Sequence, residues 1–184
     1  MLLIETKRLI LRRFTMGDLQ DIHAFSSDPV LSRHLNGFPG PTIDDVQSYI
    51  EMQNSYAPGE LDKCFDLGIH LREENKIIGL ITLVQRAHFQ GEIGFALNPA
   101  HQRQGYAVEA VRAAMAYGFT TLEMHRIFAK TERNNIRSWL LLEGVGMRRE
   151  GLFQHDHLSD GDWQDTFVYA MLAEEWSGKW ADMV

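Results

Sequence analysis

Cysteine is nearly missing: Cys64 is the one thiol in 184 residues. No internal disulfide can form, which fits a reducing compartment. Cys64 has no local Cys/His signature and reads as a passive thiol. Long apolar runs are absent too. No stretch approaches the roughly 20 residues that cross a bilayer. Met1–Ile4 is apolar, but Glu5, Lys7 and Arg8 interrupt it before a signal-peptide core can form. A cytoplasmic protein with no membrane partner is expected. Positive charge is scarce, with 18 Lys and Arg against 25 Asp and Glu and a net charge of −7. General nucleic-acid binding needs a basic surface, so no nucleic-acid partner is expected. A cationic ligand, such as a peptide amine or polyamine, would be drawn to the same balance. Repeats, low-complexity tracts and linkers are missing, and residues 1–184 read as one domain long enough to bury a full core.

What is present is periodicity. Arg8–Arg13 reads as a strand, and Thr15-x-x-Asp18 as a capping box before a short helix with Leu19, Ile22 and Phe25. Asn36–Pro41 is a loop; Thr42-x-x-Asp45 caps a helix carrying Val46, Tyr49 and Ile50, which Ala57-Pro58-Gly59 ends. Phe65, Leu67, Ile69 and Leu71 alternate as a half-buried strand, and Ile77–Val84 returns after a turn at Glu73–Lys76. Gln85–Gly91 connects to a buried strand at Glu92–Leu97. Ala107, Ala110, Val111, Ala114, Met115, Phe119 and Leu122 recur at helical spacing. Arg126–Lys130 is a strand, and Asn135–Glu143 a helix stopped by Gly144-Val145-Gly146. Met147–Gly151 and Thr166–Leu172 are the last strands, with His155, Asp156 and His157 in the loop between them. The fold class is therefore mixed α/β (α+β): a central, mostly antiparallel sheet of about six or seven strands with helices on both faces. Trp139, Trp163, Trp176 and Trp180 read as packing residues.

The stretch Gln102-Arg103-Gln104-Gly105-Tyr106-Ala107 lies between the Glu92–Leu97 strand and the long helix. A strand, a tight loop with one glycine and a helix opening at that glycine gather free backbone N–H groups at a positive dipole end. That is an anion-binding device suited to a diphosphate. Gly105 would allow close backbone approach where a Cβ would intrude; the alternative is an ordinary helix-entry glycine. Arg103 meets a phosphate or is a solvated loop residue. Tyr106 and Ala107 contribute N–H groups.

Gln-x-x-Gly-x-Ala resembles the pyrophosphate loop of the GNAT acetyltransferase superfamily. Glu5-Thr6-Lys7-Arg8-Leu9-Ile10-Leu11-Arg12 resembles the opening strand of the branch that acetylates ribosomal-protein N-termini. Glu92-Ile93-Gly94-Phe95-x-Leu97-x-Pro99 resembles that branch's central strand. Asn135-x-x-Ser138, followed by Glu143-x-x-Gly146-Met147-x-x-Glu150-Gly151, resembles its second cofactor segment and the strand after it. The resemblance runs from the first residues to about Trp176. It implies acetyl-CoA as co-substrate and direct attack by a primary amine. The acceptor would be a peptide or ribosomal-protein N-terminus, or, as in other members, a polyamine, amino acid or antibiotic. A V-shaped splay beside the central strand would let backbone groups near Ala96 and Leu97 pair with the pantetheine and the thioester oxygen. A non-catalytic acyl-CoA-binding module is the rival, and whether the chain forms a homodimer is left open.

Acetyl transfer needs a held cofactor, a deprotonated amine, a stabilised oxyanion and a protonated leaving thiolate. The resemblance gives Asn135 a hydrogen bond to the pantetheine arm, while its helical position also suits an N-cap. It gives Ser138 the role of thiolate acid or of a small residue packed beneath the cofactor. Many members carry a tyrosine acid where this chain has Leu142, and another branch has a glutamate base where Lys130 stands. The resemblance makes Glu92 and His157 the candidate bases; a surface carboxylate at a strand start and a solvated loop histidine are the plain alternatives, with a water chain then taking the proton. His155-Asp156-His157 has the spacing of metal ligands, but no further ligand is in sequence range, so no metal is expected.

Overall fold

The computed structural model describes residues 2–27, 42–159 and 161–176. Their strands form one eight-stranded sheet in the order β1-β2-β3-β4-β5-β6-β8-β7. The strands are β1 (Leu3–Glu5), β2 (Leu9–Arg12), β3 (Phe65–Leu71), β4 (Lys76–Arg86), β5 (Gln90–Leu97), β6 (Arg126–Glu132), β7 (Arg148–Ser159) and β8 (Asp162–Leu172). Among the described residues, the helices are α1 (Leu19–Ser26), α2 (Ile43–Ser55), α3 (Tyr106–Thr120) and α4 (Ile136–Gly144). Both capping boxes read from sequence form, at Thr15/Asp18 and Thr42/Asp45. Every strand pair is antiparallel except β5 with β6.

Helices cover both faces. On one, Phe14, Ile22, Val46, Tyr49 and Ile50 from the α1–α2 side pack on Ile77, Leu80 and Ala96. On the other, Ala110, Val111, Ala114, Met115 and Phe119 of α3 pack on Leu67, Ile81, Leu83, Ile93 and Ile127, joined by Leu142 of α4. The alternation of β3, β4 and β5 sends successive side chains to these two layers. Ile81 stands between the two strands that flank β4 and is 1% exposed. Ile81→Ala should lower the unfolding free energy by about 2–5 kcal/mol, measured by urea denaturation.

Four sequence expectations need correction. The sheet has eight strands rather than six or seven, because β1 adds an edge three residues long. Such a segment is too short to show a period, and its partner is distant β2. Gln85–Gly91 is a tight hairpin, since β4 runs to Arg86 and β5 begins at Gln90; polar Gln85, Arg86 and Gln90 hid the strand ends. Leu122 lies beyond the end of α3, though it packs against the same core. His155, Asp156 and His157 belong to β7 rather than to a loop. A register shift between Phe153 and His157 and a left-handed φ of 50° at His155 break the alternation that would have marked them. The expected loop at Asn36–Pro41 and the packing of Trp180 lie outside the described residues.

Candidate active site

The one parallel pair sets the geometry of the site. β5 and β6 are joined only at Gln90↔Arg126, Gly91↔Ile127 and Glu92↔Phe128. Beyond these pairs β5 stays with β4 as far as Leu97, and β6 stays with β8 as far as Glu132. The strands part as a V, leaving main-chain groups on their inner edges that need partners. Because the strands are parallel, both carboxyl ends point to the open end of the V, and each feeds a helix: β5 leads to α3 and β6 to α4. Two helix N-termini thus face one opening, the usual ligand position for such a crevice.

Gly105 is the N-cap of α3, with φ 82°, ψ 0° and no side-chain cap. That left-handed conformation suits glycine and leaves the first N–H groups of the helix without intrahelical partners. Arg103 also has a left-handed φ, 64°. Gln102 ties the two helix starts together: its amide donates to the Leu97 carbonyl at 3.1 Å, and its oxygen accepts from Arg137 of α4 at 2.9 Å. Gln104 donates weakly to the Ala100 carbonyl at 3.4 Å. Ala96 and Leu97 are buried at the end of β5. Across the V, Asn135 caps α4 by accepting from the Ser138 N–H at 3.2 Å. The Asn135 amide nitrogen and the half-buried Ser138 hydroxyl have no partner among the described residues. Leu142 is fully buried in the core.

Residues 8–148 match the family model described as an acetyltransferase (GNAT) domain. The chain belongs to the GNAT acetyltransferase family. An uncharacterized N-acetyltransferase, YnaD, of Bacillus subtilis (strain 168) is 33% identical over 175 residues, spanning 95% of this chain and 99% of that one. The [ribosomal protein uS5]-alanine N-acetyltransferase of Escherichia coli (strain K12) is 32% identical over 116 residues, 61% of this chain and 60% of its own. A solved GNAT-family acetyltransferase from Bacillus anthracis superposes with a TM-score of 0.82 at 30% identity, covering 95% of this chain and 100% of that one. The spermidine N-acetyltransferase of Vibrio cholerae, solved with CoA and spermine, shares the fold at 23% identity and a TM-score of 0.76, over 91% and 97% of the two chains. The chain is thus an acyltransferase by family, and no helix among its described residues is long and apolar enough to cross a membrane.

Within this GNAT fold, Arg8 is the residue that motif reading passed over. Its guanidinium donates to the Gln104 carbonyl at 2.8 Å, bonds Glu109 of α3 at 2.7 Å and stacks over the Tyr106 ring with Cζ 4.4 Å from the centroid. Burial pushes the Glu109 carboxyl up, but hydrogen bonds from Thr6, the Arg8 N–H and the Arg8 side chain outweigh it and hold the pKa below its ordinary value. Arg8, just ahead of β2, therefore ties the start of the chain to the loop that enters α3. Its Thr-x-Arg pattern was visible in the sequence, but its target, about 100 residues away, was not. A groove of about 360 Å³, lined by Lys7, Arg8, Leu71, Arg72, Glu73 and Tyr106, opens beside this contact. Two of its three cations are ion-paired, Arg8 with Glu109 and Arg72 with Glu5.

The two candidate bases lie apart, Glu92 at the closed end of the V and His157 on β7, on the far side of β8 from β6. Glu92, the last β5 residue paired to β6, is bound by Arg86 at 2.7 Å, and Arg86 also holds Asp62 at 3.0 Å. His157 faces Glu132, the last residue of β6, with Nε2 and Oε1 3.0 Å apart. Its Nδ1 lies 3.3 Å from both Asp156 and Thr166. The bond to Glu132 raises the imidazole pKa most, against partial desolvation, with Asp156 adding to the rise. No group of three or more His, Cys, Asp or Glu among the described residues could hold a metal ion.

A raised folded-state pKa means that the His157 contribution to stability is complete below the unfolded value of about 6.5 and is lost as pH rises through the folded value. The melting-temperature gap between the wild type and His157→Ala should therefore be widest near pH 6 and narrow toward pH 8. Scanning calorimetry across that range checks it.

Proposed function

We propose that the protein moves an acetyl group from acetyl-CoA to a primary amine, by direct attack, with a peptide or ribosomal-protein N-terminus as the acceptor. The observation that carries the donor half is the pair of helix N-termini at the open end of the V, one entered through a left-handed glycine. Main-chain amides from Arg103 to Ala107 hold the diphosphate, with the Arg103 side chain beside it and Gln102 bracing the loop. Backbone groups at Ala96 and Leu97 take the pantetheine and the thioester oxygen, which gives the unpaired strand edge its partner. The Asn135 amide donates to the pantetheine arm while its oxygen stays on the helix cap. Ser138 returns a proton to the departing thiolate. Glu92 and His157 each hold a partner at rest, so either acts as base only by leaving it. A metal is not part of this reading.

The acceptor class rests on the likeness to the ribosomal-protein alanine acetyltransferase. A polyamine is the second reading, favoured by the net charge of −7 and by the carboxylates Glu92, at the closed end of the V, and Glu132, at the end of β6. Thiol release from acetyl-CoA, followed against N-terminal peptides, polyamines and aminoglycosides, tests both. Turnover highest on peptides supports the first class, and turnover highest on spermidine-like amines replaces it with the second. Saturable binding of acetyl-CoA without turnover on any amine would leave a non-catalytic acyl-CoA module.

A further inference from the structure

The interior of β4 is buried from Ile77 to Val84 with one interruption, Thr82, which is partly open. Directly across the sheet from Thr82 are Asp66 on β3 and Gly94 on β5. Residues opposite one another share a face, so the three form a row on the side of α1 and α2. Gly94 lies two residues past Glu92, the last β5 residue paired to β6, at the point where the V begins to open.

Asp66 is buried, and its carboxylate meets only neutral donors: Tyr49 Oη at 2.5 Å, Gln53 Nε2 at 3.0 Å and Thr82 Oγ1 at 2.5 Å. No cation pairs with it among the described residues. A carboxylate buried this way is costly to keep, and of its three donors Thr82 alone reaches the open row. The Thr82 proton is committed to Asp66, so the hydroxyl oxygen presents lone pairs outward. In front of it is the space left by the missing side chain of Gly94, where a Cβ would sit 3.8 Å from Thr82 Oγ1.

We infer that Thr82, backed by Asp66, receives the acceptor amine beside the thioester and carries its proton into the sheet. The inference rests on the acetyl-transfer reading above and supplies the seat of the acceptor. The ammonium N–H bond breaks as Thr82 Oγ takes that proton. The hydroxyl's own proton passes along the 2.5 Å bond to Asp66 Oδ1, and the freed nitrogen lone pair attacks the acetyl carbonyl; the C–S bond then breaks, and the proton still on the attacking nitrogen passes through Ser138 to the departing thiolate. After product leaves, the same hydroxyl returns the proton to solvent. Burial holds the Asp66 carboxyl above its ordinary pKa, against the lowering by Thr82 and Tyr49, which favours it as a proton acceptor. The titratable groups facing Asp66 are Tyr49 from α2 and Cys64 just ahead of β3; burial pushes both up, so they stay protonated as Asp66 cycles. Arg86 and Glu92 stand beyond Cys64, bonded to each other.

The test uses an amine that the wild-type enzyme acetylates, with Thr82→Val, Thr82→Ser and Gly94→Ala. Thr82→Val should lower kcat/KM for the amine about 100-fold, with the dissociation constant for acetyl-CoA unchanged. The deficit should shrink as pH approaches the amine's own pKa, where no base is needed. Thr82→Ser should recover most of the rate. Gly94→Ala adds a methyl in ordinary contact with Thr82, leaves both partners intact, and should raise the acceptor KM without changing the melting temperature. Wild-type kcat/KM in Thr82→Val, or a loss that does not vary with pH, overturns the inference. Should Thr82→Val not fold, an unchanged acceptor KM in Gly94→Ala overturns it instead. Acetyl-CoA binding by a wild type that transfers to no amine brings down the functional reading, and this inference with it.

Discussion

Gly105→Asp should weaken acetyl-CoA binding by about 100-fold or more, at a cost to stability of only about 1 kcal/mol. The two effects have different causes. The stability loss is backbone strain at φ 82°, which aspartate tolerates better than most side chains. A carboxylate there also complements the positive end of the helix. To a diphosphate, the same carboxylate is a like charge at contact distance. At 4 Å and an effective dielectric of about 20, one such pair costs about 4 kcal/mol, or close to a thousandfold in affinity. Arg8 softens this, since its guanidinium nitrogen lies 3.3 Å from where the new Cβ would stand. Gly105→Asn supplies the same shape without the charge and should lose far less. Calorimetric titration and thermal melts on the three proteins read both quantities.

Ser138→Ala should lower kcat by about 100-fold with KM for acetyl-CoA and the melting temperature close to wild type. The Ser138 hydroxyl has no partner among the described residues, so removing it leaves nothing buried and unpaired. Its backbone N–H, which receives the Asn135 cap, is untouched by the change. A loss shared by kcat and kcat/KM would mark an interaction made only in the transition state. A rise in KM alone would mean that Ser138 only packs against the cofactor. Asn135→Ala differs, because it removes the cap as well and should cost about 1 kcal/mol of stability.

Local chemistry carries the parts of this molecule that are legible in its sequence. The strand at Phe65–Leu71, the capping boxes at Thr15 and Thr42, and the glycine between strand and helix each depend on near neighbours, and each forms; the strand, though, is buried along its whole length rather than half-buried, because helices cover both faces of the sheet there. Elements defined by distant partners were not legible. β1 exists only because β2 pairs with it, and the later half of β7 is hidden by a bulge. The same division holds at the site. Gly105 declares itself, whereas the grip of Arg8 on Gln104, and the row of Asp66, Thr82 and Gly94, follow from sheet register that no single segment encodes. Glu92 and His157 were visible as titratable residues, but their partners Arg86 and Glu132 were not.

In the proposed reaction, main-chain amides at the start of α3 hold the diphosphate of the acetyl donor. Comparing the affinity of the folded protein for acetyl-CoA with that for acetylpantetheine, which lacks the diphosphate, tests it most directly. The account predicts one saturable site for acetyl-CoA and binding of acetylpantetheine at least about 100-fold weaker, the loss of charge-assisted contacts at a helix N-terminus. Equal affinity for the two, or none for acetyl-CoA, would contradict it.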